Sequence, residues 1–380
     1  MSFWQSLKKA ANKTENVLDN LSRRVRRRLY RDTDVTIEPY VGYGNPHHVR
    51  LRGRILENHS VRAARDEDNA LHNLWYILQR FNSDELPHVD VTITFQNQQK
   101  TVTTDDEGFF YVEFDVDEPL TAIRHTAELH YADSRREAHA TGHIIIAQPD
   151  AQFAVVSDMD DTVIRSNVPN RIKLVANTLF NNARTRLPFA GVAQFYRSLQ
   201  KGTENSFNPI YYVSNSPYNL HDLLQEFFKV RDIPEGPIFL RDFGLTERYV
   251  GAFENHKAMQ IARLLELHRD LPFILIGDSG EHDPDIYAEI VRRYPGRIAA
   301  IYIRDVRPGE TWKLNDHIKE VAQEIRKTGV DMLLIQDTLA AAQHAHQKGL
   351  VSESCIIEVA KAVKQDLAAN PIDILDNPPL

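Results

Sequence analysis

Between residues 153 and 335 the sequence alternates short apolar segments with longer amphipathic ones. The short segments are rich in β-branched and aromatic residues, as buried strands are, and the longer ones repeat their apolar residues at helical spacing. Strands are predicted at 153–156, 210–213, 238–240, 273–276, 298–303 and 332–335, and helices at 192–200, 220–228, 257–268, 285–294 and 318–327. This alternation predicts an α/β fold, in which a parallel sheet is covered by helices on both faces.

Upstream of this region the sequence follows a period of two. Short runs of alternating apolar and polar residues lie at 35–37, 49–55, 89–95, 108–114 and 143–146. Such runs predict an antiparallel β-sandwich, interrupted by a helix at 69–81. Gly108 closes a predicted hairpin turn, where a positive φ favours glycine. No acid–base pair or ligand cluster is visible here, which favours a scaffold or recognition module.

The chain has 380 residues, and Pro149 marks a boundary between the two patterns. This length favours two structural units over one. We predict four parts: a basic amphipathic helix at 1–31, a β-sandwich-like domain at 32–149, an α/β domain at 150–340, and C-terminal helices packed on that domain at 341–380. Residues 338–370 read as two helices separated near Gly349.

Residues 1–31 carry nine Lys or Arg residues against two acidic ones. The formal net charge is therefore +7 for this segment and −15 for the rest of the chain. The spacing of its apolar residues predicts a long amphipathic helix, which could lie on an anionic membrane surface. Because Trp4, Ala11, Leu18 and Val25 keep a seven-residue period, self-association or packing on the protein's own surface is the alternative. Nucleic acid is not expected as a partner, because no aromatic stacking platform accompanies the charges.

The composition of the sequence indicates which cellular compartment to expect. The single cysteine, Cys355, cannot form an intrachain disulfide, and the N-terminus lacks the leader of a secreted protein. The sequence contains no uninterrupted apolar run of about 18 residues, the length of a membrane-spanning helix. We therefore expect a cytoplasmic protein whose contact with a membrane, if any, is peripheral.

Polar residues cluster where three predicted strands of the α/β domain end. They are Asp158 and Asp160 after the first strand, Ser214, Asn215 and Ser216 after the second, and the run from Gly277 to Asp283 after the fourth. Ligands of open parallel sheets bind beyond the carboxyl ends of the strands. We expect these carboxylates and hydroxyls to converge on one edge of one sheet.

Carboxylates this close to one another repel unless they share a cation. Ligation by oxygen alone suits Mg²⁺, and the region has no Cys-rich or paired-His spacing of the kind that binds zinc. A carboxylate beside the metal can attack a phosphoryl group and form an aspartyl-phosphate. A second carboxylate two residues on can protonate the leaving oxygen and then activate water. The pattern predicts a Mg²⁺-dependent phosphohydrolase with Asp158 as its nucleophile.

These residues resemble the haloacid dehalogenase-like superfamily of phosphohydrolases, whose four motifs occur here in the same order. They are Asp158, Asp160 and Thr162 in an Asp-x-Asp-x-Thr element, then Ser214, then Lys257, then Gly277-Asp278 with Asp283. The resemblance implies that Asp158 is nucleophile and Mg²⁺ ligand and that Asp160 is the acid/base, ligating through its carbonyl. It further implies that Asp278 completes the set of metal ligands. Asp283 would support these ligands without binding the ion itself.

Other residues near the same edge are candidates for binding the phosphoryl group of a substrate. The resemblance implies that Ser214 and Lys257 bind it, and Asn215 adjoins Ser214. Arg241 and Arg304 each follow a strand and precede an aspartate. Either they steer phosphate or they pair with a neighbouring carboxylate.

A closer resemblance is to the yeast actin-patch phosphatidate phosphatase family. It is carried by 157–163, 239–242, 256–257, 277–284 with Tyr287, and 301–306, and towards bacterial members also by 73–75 and 104–110. It implies Mg²⁺-dependent release of phosphate from phosphatidate or a related phospholipid, giving diacylglycerol.

The spacing of the motifs leaves only about residues 165–188 for a cap over the site. We therefore expect an open site that admits a lipid head group, a phosphoprotein or a nucleic-acid end, and a phosphatase of a soluble phosphoester is a further alternative. A membrane-surface scaffold without turnover is a further hypothesis. Asp158 and Asp160 argue against it, because a binding module does not need a nucleophile and an acid/base two residues apart.

Overall fold

The computed structural model describes residues 34–58, 84–159, 190–204, 206–241, 255–280, 282–305 and 312–369. Within these ranges the chain forms a mostly antiparallel sheet followed by a parallel sheet with helices on both faces. The predicted helices at 1–31 and 69–81, the predicted cap, Asp160 and Thr162 lie outside the described residues.

The strands of the first sheet are β1 Asp34–Pro39, β2 Gly42–Gly44, β3 His48–Asn58, β4 Asp84–Glu85, β5 Asp90–Phe95, β6 Gln98–Thr103, β7 Phe109–Asp115, β8 Arg124–Ala132 and β9 Glu137–Ile146. Their order is β1-β3-β2-β9-β8-β5-β6, with β4 and β7 also paired to β3. The pairs are antiparallel, except that β2 runs parallel to β9. The antiparallel prediction is confirmed, and the division into two layers of a sandwich stays a prediction.

Alternating burial explains why most of these strands were predictable. In β5, Val91, Ile93 and Phe95 are buried, while the residues between them face outward. Strands β2, β4, β6 and β8 were not predicted from the sequence. In β6 none of the six residues is buried, and the strand pairs with β5 through its backbone. A polar edge strand of this kind has no period-two apolar signal. Gly108 has a φ of 77°, as predicted for the hairpin turn.

The strands of the parallel sheet are β10 Ala154–Asp158, β11 Ile210–Pro217, β12 Ile238–Arg241, β13 Phe273–Asp278, β14 Ile298–Arg304 and β15 Asp331–Ile335. Their order is β12-β11-β10-β13-β14-β15, and every neighbouring pair is parallel. All six predicted strands are confirmed. The structure differs in one respect: Ser214 lies inside β11, which continues to Pro217 through a register shift.

The helices of this part are α1 Val192–Lys201, α2 His221–Val230, α3 His256–Leu267, α4 Asp283–Arg293, α5 Trp312–Arg326, α6 Thr338–Gln347 and α7 Glu353–Ala369. Helices α1, α2, α6 and α7 share a core with one face of the sheet, and α3, α4 and α5 with the other. Tyr212 faces the first core and Tyr211 the second, because successive strand residues point to opposite faces. The predicted two-sided cover is confirmed, although α5 begins at Trp312 rather than at residue 318.

The two C-terminal helices are separated at Gly349, whose φ is 70°, as predicted. Helix α7 lies against the start of α1, where Asp366 accepts a hydrogen bond of 2.6 Å from the backbone N–H of Gly191. None of the helices in the described ranges has the length and apolar character needed to cross a bilayer.

A buried histidine makes the stability of this fold sensitive to acid. His268 follows α3, is 5% exposed, and has its Nε2 2.7 Å from the Tyr211 hydroxyl. Burial, with the charges of Arg50 and Arg297, lowers the pKa of His268 to about 3. Because the ordinary pKa of histidine is about 6.5, the unfolded chain binds more protons between these values, so stability falls as the pH drops below about 6.5.

At pH 5 the expected contribution of His268 is a loss of about 2 kcal/mol relative to pH 7.5. His268→Gln keeps a polar group that can bond Tyr211 but does not titrate. We expect the variant to lose this part of the pH dependence in urea unfolding at the two pH values. An identical pH dependence in both proteins would show that His268 is not the responsible group.

Candidate active site

Three adjacent strands bring the predicted site residues together. Strand β10 lies between β11 and β13, and Asp158, its last residue, is level with Val213 in β11. Ser214 follows Val213 directly, and Asp278 is the last residue of β13. Because the strands are parallel, all three residues lie at the same carboxyl edge. The predicted convergence is therefore observed for the described residues.

A compact acidic cluster occupies this edge. Asp158, Asp278 and Asp283 each offer a carboxylate oxygen within 4.8 Å of the other two, and all three are buried. Lys257 is 1% exposed and places Nζ 2.8 Å from Asp158 Oδ1 and 3.0 Å from Asp283 Oδ1. Since an unpaired buried charge is costly, the lysine and the carboxylates stabilise one another.

The start of α3 positions Lys257. Asn255 caps the helix, its Oδ1 accepting from the backbone N–H groups of Lys257 and Ala258 at 2.9 and 3.4 Å. Asparagine is a favoured capping residue because its side chain satisfies N–H groups that have no partner within the helix. This cap places the ammonium group of Lys257 between β10 and the start of α4.

The loop between β13 and α4 holds the remaining carboxylates. Asp283 Oδ2 accepts from the backbone N–H of Asp278 at 3.2 Å, and Asp278 Oδ1 accepts from that of Gly280 at 2.7 Å. A Cβ at Gly277 would lie 2.4 Å from Asp283 Oδ2, so the close approach of Asp283 requires glycine there. Burial raises the pKa of Asp283, with the charge of Lys257 opposing this and that of Asp278 adding to it.

The other predicted residues differ in their exposure to solvent. Ser214 is buried, and its Oγ accepts from the backbone N–H of Ser216 at 3.0 Å, while Asn215 is partly exposed. Arg304 is buried and level with Asp278, and its carbonyl accepts from the backbone N–H of Ser279 at 2.8 Å. Arg241 is exposed at the end of β12.

Residues 153–305 match the family model described as phosphatidate phosphatase APP1, catalytic domain. This segment is therefore similar to that catalytic-domain family. The matched segment contains the acidic cluster, Lys257 and the whole run of strands from β10 to β13 that positions them.

Two curated proteins are similar to the chain. Phosphatidate phosphatase APP1 of Saccharomyces cerevisiae is 27% identical over 240 residues, which are 60% of this chain and 40% of the yeast protein. An uncharacterised protein of Schizosaccharomyces pombe is 31% identical over 156 residues, 40% of this chain and 25% of that protein. The chain thus spans less than half the length of either relative.

Among solved structures, a carbohydrate acetylesterase from Xanthomonas citri aligns over 87% of this chain and 73% of its own, with 7% identity and a TM-score of 0.30. This score is too low to indicate a shared fold.

The antiparallel sheet contacts the matched segment just beyond the strand that carries Ser214. Arg54 of β3 is buried and donates to Asn219 Oδ1, to the Glu107 carbonyl and to Glu85 Oε1, each at 2.9 Å. The guanidinium of Arg52, two residues earlier in the same strand, lies 4.3 Å from the ring centroid of Tyr218. These contacts were not predicted. Arg54 and Asn219 are 165 positions apart, and a single sequence does not indicate that residues so far apart are in contact.

Replacing Arg54 by methionine is expected to lower the free energy of unfolding by about 1–3 kcal/mol, because it removes three charge-assisted hydrogen bonds while keeping the apolar stem. Arg124 provides a matched control. It also bridges the two parts, to Glu235, but both side chains are exposed. Arg124→Ala should therefore cost at most about 1 kcal/mol. Equal losses in urea unfolding would show that the Arg54 network adds nothing beyond a surface ion pair.

Proposed function

We propose that this protein is a Mg²⁺-dependent phosphatase of the haloacid dehalogenase-like fold that releases phosphate from phosphatidate or a related lipid phosphate. The observation that carries the proposal is the buried cluster of Asp158, Lys257, Asp278 and Asp283 at the carboxyl edge of the sheet, inside the segment matched to a phosphatidate phosphatase catalytic domain.

The residues present suit magnesium. The cluster offers three carboxylates and, among its members, no sulfur or imidazole ligand, which is the donor chemistry of a hard divalent cation. If all three carboxylates were ionised, the ammonium group of Lys257 would leave two negative charges among these four residues, which a divalent ion would balance. Asp158 and Asp278 would hold the ion together with the carbonyl of Asp160. When bound, it would supply a positive charge that stabilises the transferring phosphoryl group.

The chain's own residues account for the bond-making steps. A carboxylate oxygen of Asp158 attacks phosphorus as the ester oxygen leaves, forming an aspartyl-phosphate, and Asp160 gives that oxygen its proton. Asp160 then takes a proton from water, which attacks the aspartyl-phosphate, releases phosphate and restores Asp158. Lys257, held beside Asp158, keeps that carboxylate ionised and oriented. Ser214 adds a hydroxyl near the phosphoryl group.

A lipid substrate is favoured by two features. The yeast relative is named a phosphatidate phosphatase. The basic segment 1–31 would attract an anionic membrane surface, each basic residue contributing roughly 1 kcal/mol. Such attraction would hold the enzyme where its substrate is concentrated.

The experiment that tests the proposal measures phosphate release from phosphatidate in mixed micelles, with EDTA or with Mg²⁺. Glycerol 3-phosphate and dihexanoyl phosphatidate serve as matched substrates, because they carry the same phosphate ester without a lipid surface. We expect Mg²⁺-dependent release that strongly favours the micellar lipid. Equal release from glycerol 3-phosphate would retain the phosphatase chemistry and refute the lipid substrate, and release in EDTA would refute the dependence on magnesium.

A further inference from the structure

A second group of side chains that could ligate a metal lies on the outward face of the antiparallel sheet and shares no residue with the acidic cluster. It consists of His130 in β8 and Glu137 and His139 in β9. His130 is the direct antiparallel partner of His139, and their rings stack with centroids 4.5 Å apart and an interplanar angle of 22°. Both Nε2 atoms point to one oxygen, Glu137 Oε1, at 2.8 and 3.1 Å.

We propose that His130, Glu137 and His139 form a binding site for a transition-metal dication of the Zn²⁺ class. One ligand atom from each residue lies within 4.8 Å of the other two. Two imidazole nitrogens and a carboxylate form a recurrent zinc-binding set, in which water completes the tetrahedron. Directly opposed residues of an antiparallel pair have Cβ atoms about 5 Å apart, which places two imidazoles within reach of one ion.

The donor set separates this site from the acidic cluster. Imidazole nitrogen favours zinc, nickel or copper, whereas Mg²⁺ is held by oxygen ligands. The two sites therefore differ in chemistry as well as in position, and excess Mg²⁺ is not expected to displace zinc from the histidines.

The strands provide a rigid support. Strands β8 and β9 are paired continuously from Arg124 with Ile145 to Ala132 with Glu137. On the opposite face of the ladder, Leu129 and Tyr131 are buried in the core, so the outward direction of His130 between them is set by the strand. Sites built on strands hold their ligands more precisely than sites on loops.

The position of the three residues also sets what a bound ion would do. The side chains of His130, Glu137 and His139 are 42%, 62% and 67% exposed, so an ion can reach all three from solvent. Because its ligands come from both strands, the ion would tie the end of β8 to the start of β9 and stabilise the folded state. It would not contribute to phosphate release.

The test is a calorimetric titration of the full-length protein with ZnCl₂ in excess Mg²⁺, which occupies any site that prefers oxygen ligands. His130→Ala and His139→Ala are compared with His143→Ala, an exposed histidine that follows on the same face of β9. We expect one equivalent of zinc to bind the wild-type protein and His143→Ala alike. Both of the other variants should lose more than about tenfold in affinity, as when a metal site loses a supporting group.

Two further readouts keep the result interpretable. The metal-free melting temperatures of the three variants should agree with that of the wild type, because the substituted residues are at the surface, and zinc should raise the melting temperature only where the histidine pair is intact. Co²⁺ should give visible absorption typical of tetrahedral coordination in the wild type but not in His130→Ala. The proposal is overturned if no zinc binds in excess Mg²⁺, or if the same equivalent binds after either histidine is removed.

Discussion

Asp158→Asn is expected to lower Mg²⁺-dependent phosphate release by about 10³-fold or more, because the amide cannot act as the attacking nucleophile. The substitution is isosteric, and Lys257 keeps its contact of 3.0 Å with Asp283, so the fold should persist. Release is measured under saturating lipid, together with the far-ultraviolet circular dichroism and melting temperature of the variant.

Tyr196→Phe is the control for this experiment. The Tyr196 hydroxyl lies 2.7 Å from that of Ser157, the neighbour of Asp158. Within the described residues, no hydrogen bond joins Tyr196 to a member of the acidic cluster. Its loss should cost about 1 kcal/mol of stability and leave turnover near that of the wild type. If Asp158→Asn retained a tenth of the wild-type rate, Asp158 would not be the nucleophile.

Acid quenching during turnover should trap phosphorylated wild-type enzyme. The Asp158→Asn variant should give no phosphorylated enzyme.

Lys257→Met is expected to lower the free energy of unfolding by about 3–5 kcal/mol in the absence of divalent ions, because it leaves buried carboxylates without their ammonium partner. Methionine keeps the apolar stem, so the lost charge accounts for most of the change. Under the proposed function, Mg²⁺ should recover part of this stability by replacing the missing positive charge. Urea unfolding with EDTA and with Mg²⁺ measures both effects.

Lys348→Met is a matched control for the second prediction. Lys348 lies 3.0 Å from Asp331, the distance that separates Lys257 from Asp283, but its side chain is 36% exposed against 1% for Lys257. Solvent screens such a pair, so its loss should cost at most about 1 kcal/mol. If both lysine variants were equally stable, the buried cluster would not depend on Lys257.

The contact of β3 with the turn after β11 gives the antiparallel region a structural role next to the candidate site. Arg54 and Arg52 meet the short 3₁₀ turn Tyr218–Leu220, which directly follows the strand bearing Ser214. The sequence pattern alone favoured a scaffold or recognition module for this region. The contacts show that one part of its surface packs against the matched segment.

Much of the α/β fold was predictable because its strands are apolar on both faces. Strands such as β13 are buried throughout, so short apolar runs between amphipathic helices identify them without further information. The positions of Asp158, Ser214 and Asp278 at one edge follow from the same reading, since parallel strands present their carboxyl ends together. Strand β6 illustrates the limit, because a polar edge strand is recognised only by its backbone partner.

The sequence by itself determined the order of strands and helices between residues 153 and 335 and the identity of the acidic residues at the strand ends, because both depend on short-range periodicity. Only the tertiary structure decided that Lys257 lies between Asp158 and Asp283, that Gly277 leaves room for Asp283, and that His130 faces His139. These relations join residues that are brought together by register and packing. Distances set by the pairing of whole elements are not encoded in the neighbourhood of any one residue, which is why they had to be observed.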